Sequence, residues 1–125
     1  MLDTHALIWW LAGDAALSRR AQEAIADDAN SVAVSASSAM EVATKYRIGK
    51  LPDAALLARD FEAIIGDQGF DELPITVHHA RLAGEMKIEH KDPFDRLLIA
   101  QAQAEDMVLV SNETLFDDFA INRLW

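Results

Sequence analysis

Four acidic residues stand where carboxylates from distant parts of the chain can converge on one site. Each follows a predicted strand or lies in the first turns of a predicted helix; they are Asp3, Glu41, Asp95 and Glu113. In a parallel sheet the carboxyl ends of all strands lie at the same edge, so we expect these four side chains to lie together there. Other acids occupy surface or helix-end positions that do not share this register, namely Asp14, Asp27, Glu62 and Asp106.

A cluster of carboxylates has a definite chemical meaning, because like charges repel one another unless a cation lies between them. The sequence contains no cysteine, and its four histidines show no zinc-binding spacing. Ligands that are all oxygen are typical of hard divalent cations such as Mg²⁺ or Mn²⁺. Such ions activate water and stabilise the leaving oxygen in phosphodiester cleavage. The acids therefore predict a metal site with this chemistry.

The same four acids also have ordinary structural explanations. Asp3 can cap the helix that follows it, and Glu41 can complete an S-x-x-E capping box with Ser38 or pair with Lys45 at i+4. An acid in the first turn of a helix, such as Asp95, is favoured by the free N–H groups and the helix dipole. Glu113 can be a turn residue. Capping explains each acid separately, whereas a metal site explains why all four fall at one end of the predicted sheet.

Strand-forming and helix-forming stretches alternate along the chain, which predicts a single α/β domain over residues 1–125. The clearest strand is the apolar run 107–110, whose continuous apolar character is typical of a parallel strand with helices on both faces. Only two residues precede Asp3, so the first strand is expected to be very short. The predicted fold is a three-layer α/β/α domain with a central, mostly parallel sheet. The other predicted strands are 31–35, 70–75 and 121–125.

Helix boundaries are predicted from capping residues, glycines and prolines. Ser18 and Thr76 are predicted N-caps, and Asp92 is predicted to cap a core helix with Pro93 at its first position. Ser37 or Ser38 is predicted to open the helix that contains Glu41. A single helix is predicted from 52 to 66, and glycine is predicted to end the first helix at position 13. His78 and His79 are expected on a helix surface.

Composition and charge restrict the partners. The 125-residue chain is 51% apolar with a net charge of −10, which is typical of a globular protein with an acidic surface. Such a surface does not attract nucleic acid by itself, but it suits a basic protein partner. No membrane span and no signal peptide are evident, and with cysteine absent we expect a cytoplasmic protein.

Four segments, in this order along the chain, resemble the PIN-domain ribonucleases, and in particular the VapC-like toxins of bacterial toxin–antitoxin pairs. The resemblance extends over essentially the whole chain, and the run "DPFDRLLIAQA" is its most specific part. The segments are LDTHALIWWL from position 2, SAMEVA from position 38, HKDPFDRLLIAQA from position 90 and LVSNETLF from position 109.

The resemblance implies an α/β/α fold, Mg²⁺ or Mn²⁺, endonucleolytic cleavage of RNA that leaves a 5′-phosphate, a homodimer and inhibition by a cognate antitoxin. It places the acids of the family site at Asp3, Glu41 and Asp95, with Glu113 where many members have Asp. Asp95, and not Asp92, matches the metal-binding acid because the Leu-Leu-Ile-Ala run sets the register. Ser111 matches the small hydroxyl residue that precedes the fourth acid.

From these matches we predict that Asp3 and Asp95 hold the principal ion, while Glu41 and Glu113 complete its coordination shell or position water. Basic side chains near the acids are predicted to hold RNA phosphates, which the carboxylates would otherwise repel; solvated surface charge is the alternative interpretation. These basic residues are Lys45, Arg47, Lys91 and Arg96, and Ser111 is assigned to the substrate side.

Two other functions remain compatible with the sequence. The protein can be a non-catalytic acidic partner that binds a basic antitoxin and acts as a co-repressor, with a degenerate site. Alternatively, it can be a nuclease of the same chemistry that cuts DNA. Binding of Mn²⁺ that depends on Asp95 separates the first alternative from the nuclease, and competition between substrates separates the second.

Overall fold

The computed structural model describes residues 1–87, 89 and 92–125, and its strands all run in one direction. Strand β1 (Ala33–Ser35) pairs in parallel with β2 (Asp71–Leu73), and β3 (Leu109–Val110) pairs in parallel with β4 (Arg123–Leu124). Leu2 joins the two pairs through isolated parallel bridges to both β1 and β3. The spatial order is therefore β2, β1, Leu2, β3, β4, and the carboxyl ends of all five lie at one edge.

The prediction of a mixed α/β fold with parallel strands is confirmed, and the first strand is reduced to a single bridging residue. The predicted strand 107–110 is shorter than expected, since only its last two residues pair with β4. Val108, expected to be buried, is 43% exposed. The sheet is thus two short ladders joined at Leu2, whereas a continuous central sheet was expected.

Seven α-helices are found in the described ranges, and none of them has the length and apolar character that a membrane span requires. Two short 3₁₀ segments, Pro52–Ala54 and Thr114–Asp118, complete the secondary structure of these ranges. The helices are α1 (Thr4–Ala12), α2 (Arg19–Ala26), α3 (Ala36–Arg47), α4 (Ala55–Arg59), α5 (Phe61–Asp67), α6 (Val77–Glu85) and α7 (Pro93–Ala104).

Several of the predicted helix ends are confirmed. Ser18 and Thr76 cap α2 and α6 through their side-chain oxygens. Asp92 accepts from two backbone N–H groups at the start of α7, with Pro93 at the first helical position, where its missing N–H has no intrahelical partner. Gly13 ends α1 at a φ of 62°, a conformation that favours glycine.

Two helix predictions were wrong. Helix α3 begins earlier than expected, with Ser35 as its N-cap accepting from the Ser37 N–H over 2.9 Å. The proposed capping box of Ser38 with Glu41 therefore does not form, since both residues lie inside the helix. The predicted helix 52–66 is a 3₁₀ segment followed by α4 and α5, which are separated at Asp60, where φ is −123°.

The expected surface position of His79 was also wrong, whereas His78 is exposed as expected. His79 is 1% exposed and lies at the third position of α6, where Nδ1 accepts from the Thr76 N–H over 3.0 Å. Its Nε2 lies 2.7 Å from Oε1 of Glu105, the residue that caps the end of α7. The ring can be buried because both of its nitrogens have hydrogen-bond partners. These two contacts join the start of α6 to the end of α7.

Helix α7 is the long buried helix that the sequence predicts. Leu98 and Ile99 pack into a core cluster with Met1, Leu109 and Phe116. A second cluster surrounds Leu2 and includes Leu7, Val34 and Val110. Gln101 of α7 is fully buried, hydrogen-bonded to Ser35 at the end of β1 and to the Pro74 carbonyl just after β2. The contacts of Gln101 fix α7 against the carboxyl ends of two strands.

Candidate metal-binding site

Asp3 lies at the centre of the carboxyl edge, because it directly follows the bridging residue Leu2. It is the N-cap of α1, and its Oδ1 accepts from the Ala6 N–H over 2.7 Å. Its own N–H donates to the carbonyl of Val110 in β3 over 3.0 Å. The capping explanation is therefore correct for Asp3, but capping uses only Oδ1 of the carboxylate. The acid is 4% exposed.

Burial raises the pKa of Asp3 above its ordinary value, because a carboxylate loses hydration inside the protein. Hydrogen bonding by the Ser111 side chain and the Ala6 N–H acts in the opposite direction, as does the nearby His5, while the charge of Glu113 raises the pKa further. Ser111 and Glu113 are thus close enough to Asp3 to act on its charge. In the described ranges no lysine or arginine forms an ion pair with Asp3.

The loop after β3 is held in place by side chains on both sides. The buried Ser111 accepts from the Glu113 N–H through its Oγ over 3.0 Å. Arg123 of β4 donates to the Ser111 carbonyl over 2.9 Å and pairs with Asp117 over 2.7 Å. These contacts fix the backbone around Glu113 and leave its side chain exposed at the carboxyl edge.

Glu41 approaches the same region from α3. Its carboxylate is buried, and the Thr4 hydroxyl donates to its Oε1 over 2.6 Å. The Thr4 and Ser38 oxygens lie 3.1 Å apart; because the single proton of Thr4 goes to the carboxylate, Ser38 is the donor in that pair. Lys45 forms an ion pair with Oε2 of Glu41 from the next turn of α3. Thr4 directly follows Asp3, so one short segment orients two of the four acids.

Asp95 occupies the first turn of α7, where it is partly buried. The start of α7 lies against the start of α3, because the Ser37 hydroxyl lies 3.3 Å from the Phe94 carbonyl. Asp92, the neighbouring acid, is used as the N-cap of the helix and accepts from the Asp95 N–H over 3.2 Å. The two acids of this segment therefore have different tasks, and capping belongs to Asp92.

The structure links several of the predicted site residues through hydrogen bonds and charge. Asp3, Ser111 and Glu113 influence one another, and Thr4 connects this group to Glu41. Among the residues in the described ranges, no three acid or histidine side chains are arranged to share one metal ion. The convergence of all four acids on one ion therefore stays a prediction.

The donor chemistry nevertheless fits a hard divalent cation. The groups at the carboxyl edge are carboxylates and hydroxyls, which are the ligands that Mg²⁺ and Mn²⁺ prefer. The buried Asp3 carboxylate has hydrogen-bond donors and lies near His5, but it has no lysine or arginine ion pair in the described part of the chain, so it is the group that a bound cation would stabilise.

The predicted phosphate-binding residues have varied surroundings. Lys45 is paired with Glu41, as described above. Arg96 donates from Nε to the Ala83 carbonyl over 3.0 Å and from Nη2 to the Met86 carbonyl over 2.8 Å, so it caps the end of α6. Arg47 is exposed in the last turn of α3, while Lys91 lies outside the described residues, as does His90 of the matching segment.

Thr4 and Gln101 are two positioning residues that the sequence analysis missed. Thr4 was visible only as the residue after a candidate acid, and its partner Glu41 is 37 positions away. Gln101 appeared as one polar residue within an apolar helix, and its contact with Ser35 spans 66 positions. A polar residue on the buried face of a helix is the signal that points to Gln101, since buried polar groups require partners.

A comparison with known protein families gives one match. The sequence profile of the family described as PIN domain matches residues 1–122, nearly the whole chain. A search among curated proteins finds no match to this chain.

Proposed function

Because the chain belongs to the PIN-domain family, we propose that it is a metal-dependent endoribonuclease and the toxin of a toxin–antitoxin pair. PIN domains are typically metal-dependent ribonucleases, so membership implies RNA as substrate and a divalent ion as cofactor. The observation that supports catalysis here is the Asp3 carboxylate. It is buried beside Ser111 and Glu113 and forms no ion pair with a lysine or arginine in the described part of the chain.

We assign the ion to Asp3 and Asp95, with Glu113 completing its shell. Glu41, whose two carboxylate oxygens already have protein partners, is assigned to orienting water. When bound, a divalent ion lowers the pKa of a water and stabilises the leaving oxygen of the phosphodiester. The chain itself supplies fixed donors. The Ala6 N–H orients Asp3, and the fixed backbone around Glu113 keeps that carboxylate at the same edge.

Substrate binding requires positive charge near this acidic site. We propose Arg47 as a phosphate ligand, because it is an exposed residue in the last turn of α3, where its backbone lies about 9 Å along the helix axis from that of Glu41. Replacing Arg47 with Ala is expected to weaken RNA binding and to reduce its salt dependence, because one phosphate contact is lost.

The toxin role, the antitoxin partner and the homodimer are proposed from the resemblance to VapC-like toxins. The net charge of −10 supports a basic antitoxin, because opposite charges favour association. Purification of the chain with the product of a neighbouring open reading frame, followed by light scattering, tests the pairing and the dimer together.

The nuclease is tested with a mixed RNA pool incubated with purified protein in Mn²⁺ or in EDTA. The native chain is compared with Asp95→Asn and with the control Asp106→Asn, an exposed site with a φ of 50°, where Asn is also well tolerated. We expect cleavage by the native and control proteins in Mn²⁺ and none by Asp95→Asn.

The alternatives give different results in the same assay. Cleavage of DNA in preference to RNA supports a DNA nuclease. No cleavage together with no Mn²⁺ binding contradicts the enzyme and favours the co-repressor. Mn²⁺ binding without cleavage points to a narrow RNA target that the pool lacks, which a pool prepared from the natural host tests.

A further inference from the structure

The Glu41 carboxylate has a positive partner on its own helix. Lys45, one turn later on α3, places its ammonium against Oε2 of Glu41, and the Thr4 hydroxyl engages Oε1. The Glu41 side chain is 7% exposed, whereas the Lys45 side chain is 30% exposed. Both oxygens of this buried carboxylate are thus bound by protein groups, and its charge is balanced from the more exposed side.

Asp3 and Glu41 therefore differ in how their negative charges are balanced, although Thr4 connects the segments that carry them. Asp3 is a buried carboxylate without a lysine or arginine ion pair in the described ranges, so a divalent ion can supply positive charge there. Glu41 already has a monovalent cation. A divalent ion bound to Glu41 as well would lie close to the Lys45 ammonium. Like charges repel strongly in a buried site, because water screens them less there.

We propose that Lys45 is an internal cation that takes the place of a second divalent ion, so that the site binds a single ion on the side of Asp3. This inference rests on the proposed metal-dependent function and specifies the number of ions. Lys45 is then a positioning residue: its ammonium holds Glu41 in place and is not available to a phosphate of the substrate.

The test counts bound Mn²⁺ in the full chain by electron paramagnetic resonance titration, which does not depend on cleavage. Lys45→Met removes the ammonium and keeps the aliphatic stem, whereas Lys45→Arg keeps the charge. Lys50→Met, at an exposed lysine beyond the end of α3, is the matched control for loss of one charge. We expect one ion for the native, Lys45→Arg and Lys50→Met proteins and a second ion only for Lys45→Met.

The double variant Lys45→Met with Glu41→Gln identifies the ligand, since the second ion must disappear when Glu41 loses its charge. Circular dichroism establishes that each variant is folded, and Lys45→Gln replaces Lys45→Met if the latter is not. Two ions in the native protein overturn the inference, as does one ion in both the native protein and Lys45→Met; in these cases the metal-dependent function stands. No Mn²⁺ bound to any variant overturns the proposed metal site together with the inference.

Discussion

The hydroxyl of Thr4 donates a hydrogen bond of 2.6 Å to Oε1 of Glu41 across 37 residues of sequence. Thr4 follows Asp3 directly, so the start of α1 orients its own acid and a second acid on α3. Both Thr4 and Glu41 are buried, and hydrogen bonds to buried charged groups are stronger than those between neutral groups. The geometry of two acids of the candidate site therefore depends on the segment that carries this hydroxyl.

Replacing Thr4 with Val, which has nearly the same shape, removes this hydroxyl and leaves the Glu41 carboxylate with one donor fewer. We expect the free energy of unfolding to fall by about 1–3 kcal/mol. Mn²⁺ affinity or RNA cleavage is expected to fall by about 10–100-fold, as is typical when a group that orients the acids around a metal site is lost. Urea denaturation and Mn²⁺ titration measure the two effects. Thr4→Ser retains the hydroxyl, and equal losses in both variants would show that the hydrogen bond is not the cause.

Asp3→Asn tests the effect of burial on the Asp3 carboxyl. Because the pKa of Asp3 is raised in the folded state, its ionisation opposes folding, and this cost appears as the pH rises from its ordinary value of 3.8 through the raised value. Asn has no such charge and still accepts from the Ala6 N–H. In EDTA we therefore expect Asp3→Asn to be more stable than the native chain at pH 7, with a difference that shrinks as the pH falls.

Urea denaturation across this pH range provides the measurement for Asp3→Asn. Adding Mn²⁺ at pH 7 should stabilise the native chain and not the variant, because only the native chain has the charged ligand. A stability difference that is the same at acid and neutral pH would contradict the assigned role of burial.

Glu113 is exposed, so its replacement is expected to affect the site and not the fold. Glu113→Gln should change the free energy of unfolding by less than about 0.5 kcal/mol, as is usual for surface positions. It should weaken Mn²⁺ binding by removing negative charge near Asp3. Glu113→Asp keeps that charge and should bind Mn²⁺ more tightly than Glu113→Gln. If both variants bind Mn²⁺ like the native chain, Glu113 is a turn residue only.

Gln101 anchors α7 to the strands that end at the site. Gln101→Met removes hydrogen bonds to Ser35 and to the Pro74 carbonyl in a fully buried place, so we expect a loss of about 1–3 kcal/mol in the free energy of unfolding. Gln103→Met is the matched control, because Gln103 is exposed on the same helix. Thermal and urea unfolding measure both, and equal stabilities would contradict the anchoring role.

Local sequence signals predicted the local structure well. The Asp92–Pro93 pair marks the start of α7, and Ser18 and Thr76 mark two other helix starts, because each cap needs only residues within one turn. The parallel direction of the strands followed from the alternation of elements. Asp3 was correctly placed at the end of the first strand, because it directly follows Leu2, the residue that bridges β1 and β3.

Predictions failed where a distant partner competes with a local pattern. Ser38 and Glu41 have the spacing of a capping box, but Ser35 caps the helix and the distant Thr4 binds Glu41. The other local explanation for Glu41, an ion pair with Lys45 at i+4, is confirmed. The adjacent polar residues His78 and His79 are expected on a helix surface from the sequence, yet His79 is buried and its Nε2 lies 2.7 Å from Glu105, 26 residues away. Likewise, the preference of Arg96 for the carbonyls at the end of α6 depends on how two helices pack.

The bridging position of Leu2 also has a consequence for how the chain folds. Its two partners, Val34 and Val110, lie early in the chain and near its end, and closing such a distant contact costs more entropy than closing a local one. The β1–β2 ladder can form from a contiguous segment, but the centre of the sheet must wait until Val110 is present. During synthesis on the ribosome, Asp3 thus gains the surroundings of its site only after the segment around Val110 has been made.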